Sequence, residues 1–464
     1  MSTQEQEQEH EVDLVVVGLG PGGEALATGA AQAGLDVVAV DKHLVGGECP
    51  YYGCIPSKMM LRAADGLAEA RRAGTLAGDV EVTASWAPVA RRIREEATDD
   101  WDDSVAVRRL ADAGATVHHG TARLDGVRRV VVELRDGSTR RYTARRGVVL
   151  NPGTRPAAPP VAGLEGTPYW TNRDAVRATE APASMVVVGG GPIGCELAQV
   201  FARFGTRVTL LQHGARLLPH DEPEASAVLE RALADDGVRV VTGAEPSEVS
   251  YADGGFTVTL GEERVTGDRL LVAAGRTPNL DGLGLETVGL DPTARSVEVD
   301  ERLRAAEGLW VLGDVTGKGA YTHVSMYQSA VALRDVLERD GAPASYHAVP
   351  HVTFTDPEVA GVGMTEQQAR DAGLRVRTGS TAMEQSSRGF VHGPGATGLV
   401  KVVEDADRGV LVGATVVGPA GGEVLGALAV AVHAAVPVEV LRTMVYAYPT
   451  FHRAIESALA DLGI

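Results

Sequence analysis

Two stretches of the chain repeat one order of apolar and polar positions. Near the start, the apolar run Leu14–Val17 leads into Gly18-Leu19-Gly20-Pro21-Gly22-Gly23, then an Ala-rich helical segment, Gly34 and a second apolar run ending on Asp41. Further on, Met185–Val188 leads into Gly189-Gly190-Gly191-Pro192-Ile193-Gly194, then a helical segment through Phe204, Gly205 and the run Val208–Leu211, ending on Gln212. In both copies the third glycine, Gly23 or Gly194, stands 11 residues before the later glycine and 18 before the strand-end residue. Short apolar runs bounded by glycine predict buried parallel strands. Each copy therefore predicts strand, tight turn, helix and strand, which is the dinucleotide-binding βαβ unit.

The chemistry of the repeat follows from its glycines. Gly18, Gly20 and Gly23, and Gly189, Gly191 and Gly194, let the backbone approach a diphosphate, and the helix start presents unpaired N–H groups to it. Two copies imply two different dinucleotides. Asp41 ends the second strand of copy one, where a carboxylate accepts from ribose hydroxyls. Copy two has Gln212 there, followed by His213 and Arg216. The missing carboxylate removes a repulsion against a ribose phosphate, which tilts the nicotinamide expectation slightly toward NADPH. His213 and Arg216 are the candidate phosphate contacts, and solvated surface groups are the alternative.

Between the copies lies Gly46-Gly47-Glu48-Cys49-Pro50-Tyr51-Tyr52-Gly53-Cys54-Ile55-Pro56-Ser57-Lys58. The glycines, Gly47 among them, mark a turn, and a helix is expected to run on to about Ala73. Cysteines at a helix N-terminus have their thiolates stabilised by the dipole. Lys58 stands four residues past Cys54 and shares its helix face. It is one of only four lysines, so its place inside a motif carries weight. The alternatives for Cys49 and Cys54 are inert buried thiols, a static disulfide or half a zinc site. No second pair or histidine cluster follows to complete a zinc site. A redox-active pair fits the spacing and the helix start best.

Overall composition narrows the rest. A chain of 464 residues with 44% apolar and 23% charged content is a multidomain globular protein. No apolar run reaches the roughly 18 residues a bilayer span needs. The net charge of −19 disfavours nucleic acid and anionic membrane as partners. Met1–Glu11 is polar and acidic and reads as a disordered tail rather than a signal peptide, so the chain is expected in the cytoplasm. Three cysteines cannot build a disulfide framework. The third, Cys195, sits inside the second helix start and is expected to be a packing residue.

With these motifs in place the sequence resembles the class I pyridine-nucleotide–disulfide oxidoreductase family, which includes dihydrolipoamide dehydrogenase, glutathione reductase and mercuric reductase. The likeness covers nearly the whole chain. Leu271–Asn279, with Gly275, resembles the family's crossover between domains. Leu312-Gly313-Asp314-Val315 resembles its second flavin motif, whose aspartate holds the ribityl chain. Phe354–Glu358 with Gly361–Glu366 resembles the start of its dimerisation domain. Asn151–Pro156 stands where the family has Ala-Thr-Gly, with Gly153 keeping the turn.

The resemblance implies an α/β fold of two Rossmann-like domains, for FAD and NAD(P)H, plus a C-terminal α+β dimerisation domain. The expected boundaries are 1–155 with 276–346, then 156–275, then 347–464. It implies that Cys54 faces the flavin, that Cys49 attacks the substrate, and that Lys58 lies near the flavin and pairs with Glu196. It also implies a homodimer in which the segment around Tyr448 closes the partner's site.

One family motif is broken. The family's His-Pro-Thr-x-x-Glu, whose histidine is the acid–base group, becomes Tyr448-Pro449-Thr450-Phe451-His452-Arg453. Histidine titrates near neutral pH, whereas tyrosine, with a pKa of about 10, is a poor base at pH 7. His452 and Glu456, four apart on the expected C-terminal helix, are a candidate replacement dyad, with an ordinary surface pair as the alternative. Mercuric reductases also carry tyrosine at this position, but this chain ends without their C-terminal cysteine pair. The expected activity is electron transfer from NAD(P)H through FAD and the cysteine pair to a small disulfide. Metal-ion or quinone reduction is the alternative. A non-catalytic flavoprotein subunit or sensor is disfavoured by the intact Cys49, Cys54, Lys58 and Glu196.

Overall fold

The computed structural model describes residues 9–463. The chain forms two compact units. The first comprises 1–56, 94–155 and 276–346, and the second comprises 57–93, 156–275 and 347–464.

The first unit is built on a parallel sheet in the strand order Thr116–Leu124, Val37–Asp41, Glu9–Val17, Thr139–Leu150, Leu309–Val311. Side chains alternate across a strand, so Val15 and Val17 enter one apolar cluster while Leu14 and Val16 enter the other. Both faces of the first strand are therefore buried, which explains why its sequence is an unbroken apolar run. Arg129–Leu134 adds an antiparallel connection between Thr116–Leu124 and Thr139–Leu150. The strand begins at Glu9, where Glu9 opposes Arg141. This corrects the expected tail at residues 9–11, because ladder pairing extends the strand past its apolar part. The rest of that tail, residues 1–8, lies outside the described residues.

Two helices fix the geometry of this unit. Pro21–Gln32 follows the first strand and packs by Gly22 and Gly29 on Thr322–Val336. A Cβ at Gly22 would overlap Ser325, and one at Gly29 would press on Leu333. The absence of side chains along this seam lets the two helices approach closely.

The second unit repeats the parallel pattern in the order Arg269–Val272, Ser184–Val188, Arg207–Gln212, Arg239–Thr242. Its helix Pro192–Arg203 ends one residue before the expected Phe204, which becomes the C-cap. An antiparallel five-stranded sheet spans Pro350–Thr353, Glu358–Gly363, Val410–Gly418, Leu399–Asp405 and Val376–Ala382. The helix Gly421–His433 covers it through Val424, Leu425 and Leu428. Among the described residues no helix is long and apolar enough to cross a membrane.

Candidate functional site

The two glycine loops have the same construction. Gly18 has φ +87°, and a Cβ there would collide with the Asn151 carbonyl at the end of the neighbouring strand. Gly189 has φ +115°, and its Cβ would collide with the Ala273 carbonyl in the same way. The third glycine of each loop closes on the first, since Cβ atoms on Gly23 and Gly194 would overlap the carbonyls of Gly18 and Gly189. Gly20 and Gly191 are the N-caps of Pro21–Gln32 and Pro192–Arg203. A Cβ on Gly191 would meet nothing within 4 Å, and one on Gly20 only Asn151 Oδ1 at 3.4 Å. The backbone face beside each helix start is therefore open, as a diphosphate requires.

The strand-end residues also act alike. Asp41 Oδ2 accepts from the Leu19 N–H at 2.7 Å, and its Oδ1 from His43 N–H at 2.7 Å. Burial raises the Asp41 carboxyl above the usual range, against the pull of those two donors. Gln212 Oε1 accepts from the Gly190 N–H at 2.9 Å, the corresponding loop position. Arg216 departs from its expected role. Its guanidinium donates to Leu218 O at 3.0 Å, to Ser226 Oγ at 2.8 Å and to Pro219 O at 2.6 Å. These carbonyls precede the helix Pro223–Asp235 and need donors, so the guanidinium is consumed in building the turn. His213 is exposed. Cys195 is fully buried, donates to Gly190 O at 3.4 Å and has its thiol pushed up by burial. It is an inert packing residue.

Asn151 is a residue whose importance the sequence pattern did not reveal. Its Oδ1 accepts from the Gly23 N–H at 2.8 Å, and its Nδ2 donates to Leu312 O at 3.0 Å and to Ser325 Oγ at 3.3 Å. One buried amide thus ties the first helix start to the ends of two strands and to the helix Thr322–Val336. Nearby, Arg276 Nε donates to Thr154 Oγ1 at 2.6 Å, and that hydroxyl donates to Asp314 Oδ2 at 2.7 Å. Asn279 N–H donates to Gly153 O at 3.0 Å, where Gly153 has φ +64°. Gly313, at φ +78°, opens the turn Gly313–Thr316, and Gly275 has φ +130°.

The thiols stand at the starts of two helices. Gly47, at φ +71°, is the N-cap of Glu48–Tyr51, whose second residue is Cys49. A Cβ on Gly47 would lie 2.9 Å from Gly20 Cα, so this turn sits against the first glycine loop. Cys54 is the first residue of Cys54–Ala73, and its Sγ lies 3.3 Å from Thr322 Oγ1. Both cysteines are partly exposed.

Along the same helix, Lys58, Asp65 and Arg72 recur every seven residues, which puts them on one face. In the second unit this face meets Glu196, Gln199 and Arg203 of Pro192–Arg203 and the segment Phe354–Asp356. Lys58 Nζ donates to Glu196 Oε2 at 2.8 Å and Oε1 at 3.0 Å, and lies 4.8 Å from the centre of the Phe354 ring. Glu196 Oε1 also accepts from the Phe354 N–H at 2.9 Å. Gln199 holds Asp356 by both backbone groups at 2.8 Å. The fully buried Arg203 bonds Asp65 at 2.8 Å, Asp236 at 3.0 Å and Asp356 at 2.7 Å. Arg72 reaches the same Asp356 oxygen at 2.6 Å. Burial pushes the Asp65 carboxyl up to about 6, while Arg203 pulls it down. Lys58 is thus the first rung of a ladder of opposite charges.

The C-terminal candidates separate. His452 lies in the short turn Phe451–Arg453, and the helix begins only at Ala454. The tighter turn brings residues three apart into register, so Glu456 pairs with Arg453, Nε to Oε2 at 3.1 Å. The structure does not join His452 to Glu456 as the expected dyad. Tyr448 is 66% exposed, and the Arg453 guanidinium lies 5.2 Å over its ring.

Comparison with known proteins agrees with this architecture. Residues 12–332 match the pyridine nucleotide-disulphide oxidoreductase family, and residues 349–459 match that family's dimerisation domain. A dihydrolipoyl dehydrogenase of Chlorobaculum tepidum is 33% identical over 456 residues, covering 97% of this chain and 96% of the relative. A mercuric reductase of Acidithiobacillus ferrooxidans is 31% identical over 455 residues, covering 96% of this chain and 81% of the relative. The structure of the flavoprotein disulfide reductase RclA of Escherichia coli, solved as a Cu(II) complex, superposes with a TM-score of 0.86 at 25% identity, over 97% of this chain and 99% of that one. The chain belongs to the pyridine nucleotide–disulfide oxidoreductases, and is a flavin-dependent enzyme of that class. The family implies FAD and a pyridine nucleotide, and the two open glycine loops fit both.

Proposed function

We propose that this enzyme transfers electrons from NAD(P)H, through FAD, to the Cys49–Cys54 pair and from there to a small disulfide. The observation that carries the reading is the placement of both thiols at helix starts, with Lys58, one turn past Cys54, held by Glu196 at 2.8 Å. Bound FAD would supply the two-electron carrier between nicotinamide and disulfide. Gly18, Gly20, Gly23, Asp41, Gly47, Gly153, Gly313 and Asp314 would hold it, with the first helix start facing its diphosphate. Gly189, Gly191, Gly194, Gln212 and Gly275 would hold the nicotinamide nucleotide. The family resemblance implies that Lys58, held by Glu196, would contribute a positive charge near the flavin.

The acceptor half-reaction belongs to the thiols. The Cys49 thiolate attacks one sulfur of the acceptor disulfide, forming a mixed disulfide and expelling a thiolate. The Cys54 thiolate then attacks Cys49, releasing the second acceptor thiolate and restoring the Cys49–Cys54 bond. Two protons go to the departing thiolates. In the homodimer that the family resemblance implies, the partner subunit's Tyr448 would donate one of them, and a phenol is a poor base at neutral pH.

Metal-ion reduction is a second reading, favoured by the exposed Tyr448 phenol in place of an imidazole and by the mercuric reductase and copper-complexed RclA relatives. Phe390, Val391, Val445 and Tyr448 expose apolar surface in the region matching the dimerisation domain. Large apolar side chains left exposed in this region support a homodimer. The cysteine usage suits a reducing compartment such as the cytoplasm.

An acceptor panel tests the reading. Cys49→Ser should abolish reduction of small disulfides and of Hg²⁺ or Cu²⁺ while sparing quinone reduction. Disulfide turnover that survives Cys49→Ser refutes the assigned role of the pair.

A further inference from the structure

We propose that Thr322 is a further catalytic residue, whose hydroxyl donates a hydrogen bond to Cys54 Sγ when that sulfur is a thiolate. The inference rests on the reading of Cys49 and Cys54 as a redox pair. Cys54 Sγ and Thr322 Oγ1 lie 3.3 Å apart. Between a thiol and a hydroxyl, either group can donate. A thiolate carries no proton, so in that state the hydroxyl is the donor. Among the described residues Cys54 is the one hydrogen-bond partner of this hydroxyl.

The hydroxyl is held in place by its backbone. Thr322 is the first residue of the 15-residue helix Thr322–Val336, and Cys54 is the first residue of a 20-residue helix. Two helix starts thus converge on one sulfur. The Thr322 helix is anchored within its next two turns. Ser325 Oγ accepts from Asn151 Nδ2 at 3.3 Å. The fully buried Gln328 accepts from Gly313 N–H at 2.6 Å and donates to Thr316 Oγ1 at 3.0 Å and to Tyr346 OH at 3.0 Å. The close seam at Gly22 leaves this helix no room to slide. A β-branched side chain on such a scaffold has few rotamers, so the donor is preorganised.

The consequence falls on one thiol of the pair. Two electrons entering the Cys49–Cys54 bond break it and leave two thiolates. Thr322 stabilises the one on Cys54, favouring the ionised form of that sulfur over its thiol. Cys49 keeps its assigned role as the nucleophile toward the acceptor.

The test uses flavin-loaded, full-length protein carrying Cys49→Ser, which isolates Cys54; Cys195 is fully buried. The rate of Cys54 alkylation by iodoacetamide is followed against pH by peptide mass spectrometry. Thr322→Val in this background should raise the midpoint by about one pH unit, the effect of losing one hydrogen bond to an ionised group. Thr322→Ser should restore the original midpoint, which a packing role for the methyl group would not do. An unchanged midpoint in Thr322→Val, or a Thr322→Ser profile that follows valine, overturns the proposal. Should valine impair flavin retention, Thr322→Ala against Thr322→Ser gives the same comparison. Alkylation requires no turnover, so failure of the assigned reaction would show separately, as flavin bleaching by NAD(P)H without gain of thiols in the parent enzyme.

Discussion

Replacing Arg203 by Met should destabilise the second unit strongly, and more so at neutral than at mildly acidic pH. The guanidinium is fully buried and bonds three carboxylates at 2.7 to 3.0 Å. Removing one partner of a buried ion pair costs about 3–5 kcal/mol, because the remaining charge is stranded. Two of the three carboxylates keep other donors: Asp356 retains Arg72, and Asp236 retains Gln199. The loss should therefore lie near the lower end, at about 3 kcal/mol.

Asp65 supplies the pH dependence. Its carboxyl is pushed up to about 6 in the folded protein, above the value of about 4 expected when unfolded. Between those values the folded state binds more protons, so the contribution of Asp65 to stability falls as pH rises through the window. Without Arg203 this penalty deepens. The Asp65 side chain is 36% exposed, so solvent screens it and the added effect is about 1 kcal/mol. Urea unfolding at pH 5.5 and 7.5, followed by circular dichroism and tryptophan fluorescence, measures both quantities as midpoint shifts. Trp86 stacks on Phe201 at 4.9 Å, two residues before Arg203, and so reports locally. A loss below about 1 kcal/mol, the range of an exposed pair, or a loss equal at both pH values, refutes the charge-ladder account.

Three further outcomes follow from the site. Tyr448→His should raise disulfide turnover at pH 7 by at least about tenfold, since a positioned acid–base group contributes 10²–10⁴-fold when well placed; an assay with a small aromatic disulfide reads it, and His452→Ala should leave turnover unchanged because Glu456 is paired with Arg453. Arg216→Ala should leave the KM for NADPH nearly unchanged and instead lower stability by about 1–2 kcal/mol, because the guanidinium bonds Leu218 O, Pro219 O and Ser226 rather than a ligand. Asn151→Ala should weaken flavin retention and lower the melting temperature together, since Gly23 N–H and Leu312 O both lose their partner; flavin release on dilution and a thermal scan check it.

What could be read from the sequence is what repeats or carries a rare residue type. The two glycine motifs declare themselves by matched spacing, and steric closure of Gly23 on Gly18 and of Gly194 on Gly189 is the physical reason those positions are glycine. The cysteines stand out because a chain with three of them places two five apart. Lys58 and Glu196, 138 residues apart, are linked only through the family resemblance, because no local pattern records a long-range pair. Asn151 and Thr322 were not legible for the same reason. Each acts through an atom brought close by the fold, and an isolated Asn or Thr in sequence reads as turn chemistry. Arg203 does leave a usable signal in the sequence: Lys58, Asp65 and Arg72 at seven-residue spacing alternate in charge, and so do Glu196 and Arg203. His452 and Glu456 share a face only in a helix that begins before Ala454, and this one begins at Ala454. Three residues of tighter turn shift the register by one and hand Glu456 to Arg453.

Electrons from NAD(P)H should reach the Cys49–Cys54 pair by way of the flavin. Anaerobic titration with NADH and with NADPH, combined with thiol counting by a chromogenic disulfide under native conditions, tests this transfer most directly. Reduction should consume reductant beyond the flavin's own two electrons and expose both Cys49 and Cys54, and Cys54→Ser should abolish the extra uptake. Full bleaching of the flavin with no gain of reactive thiols in the parent enzyme would contradict it.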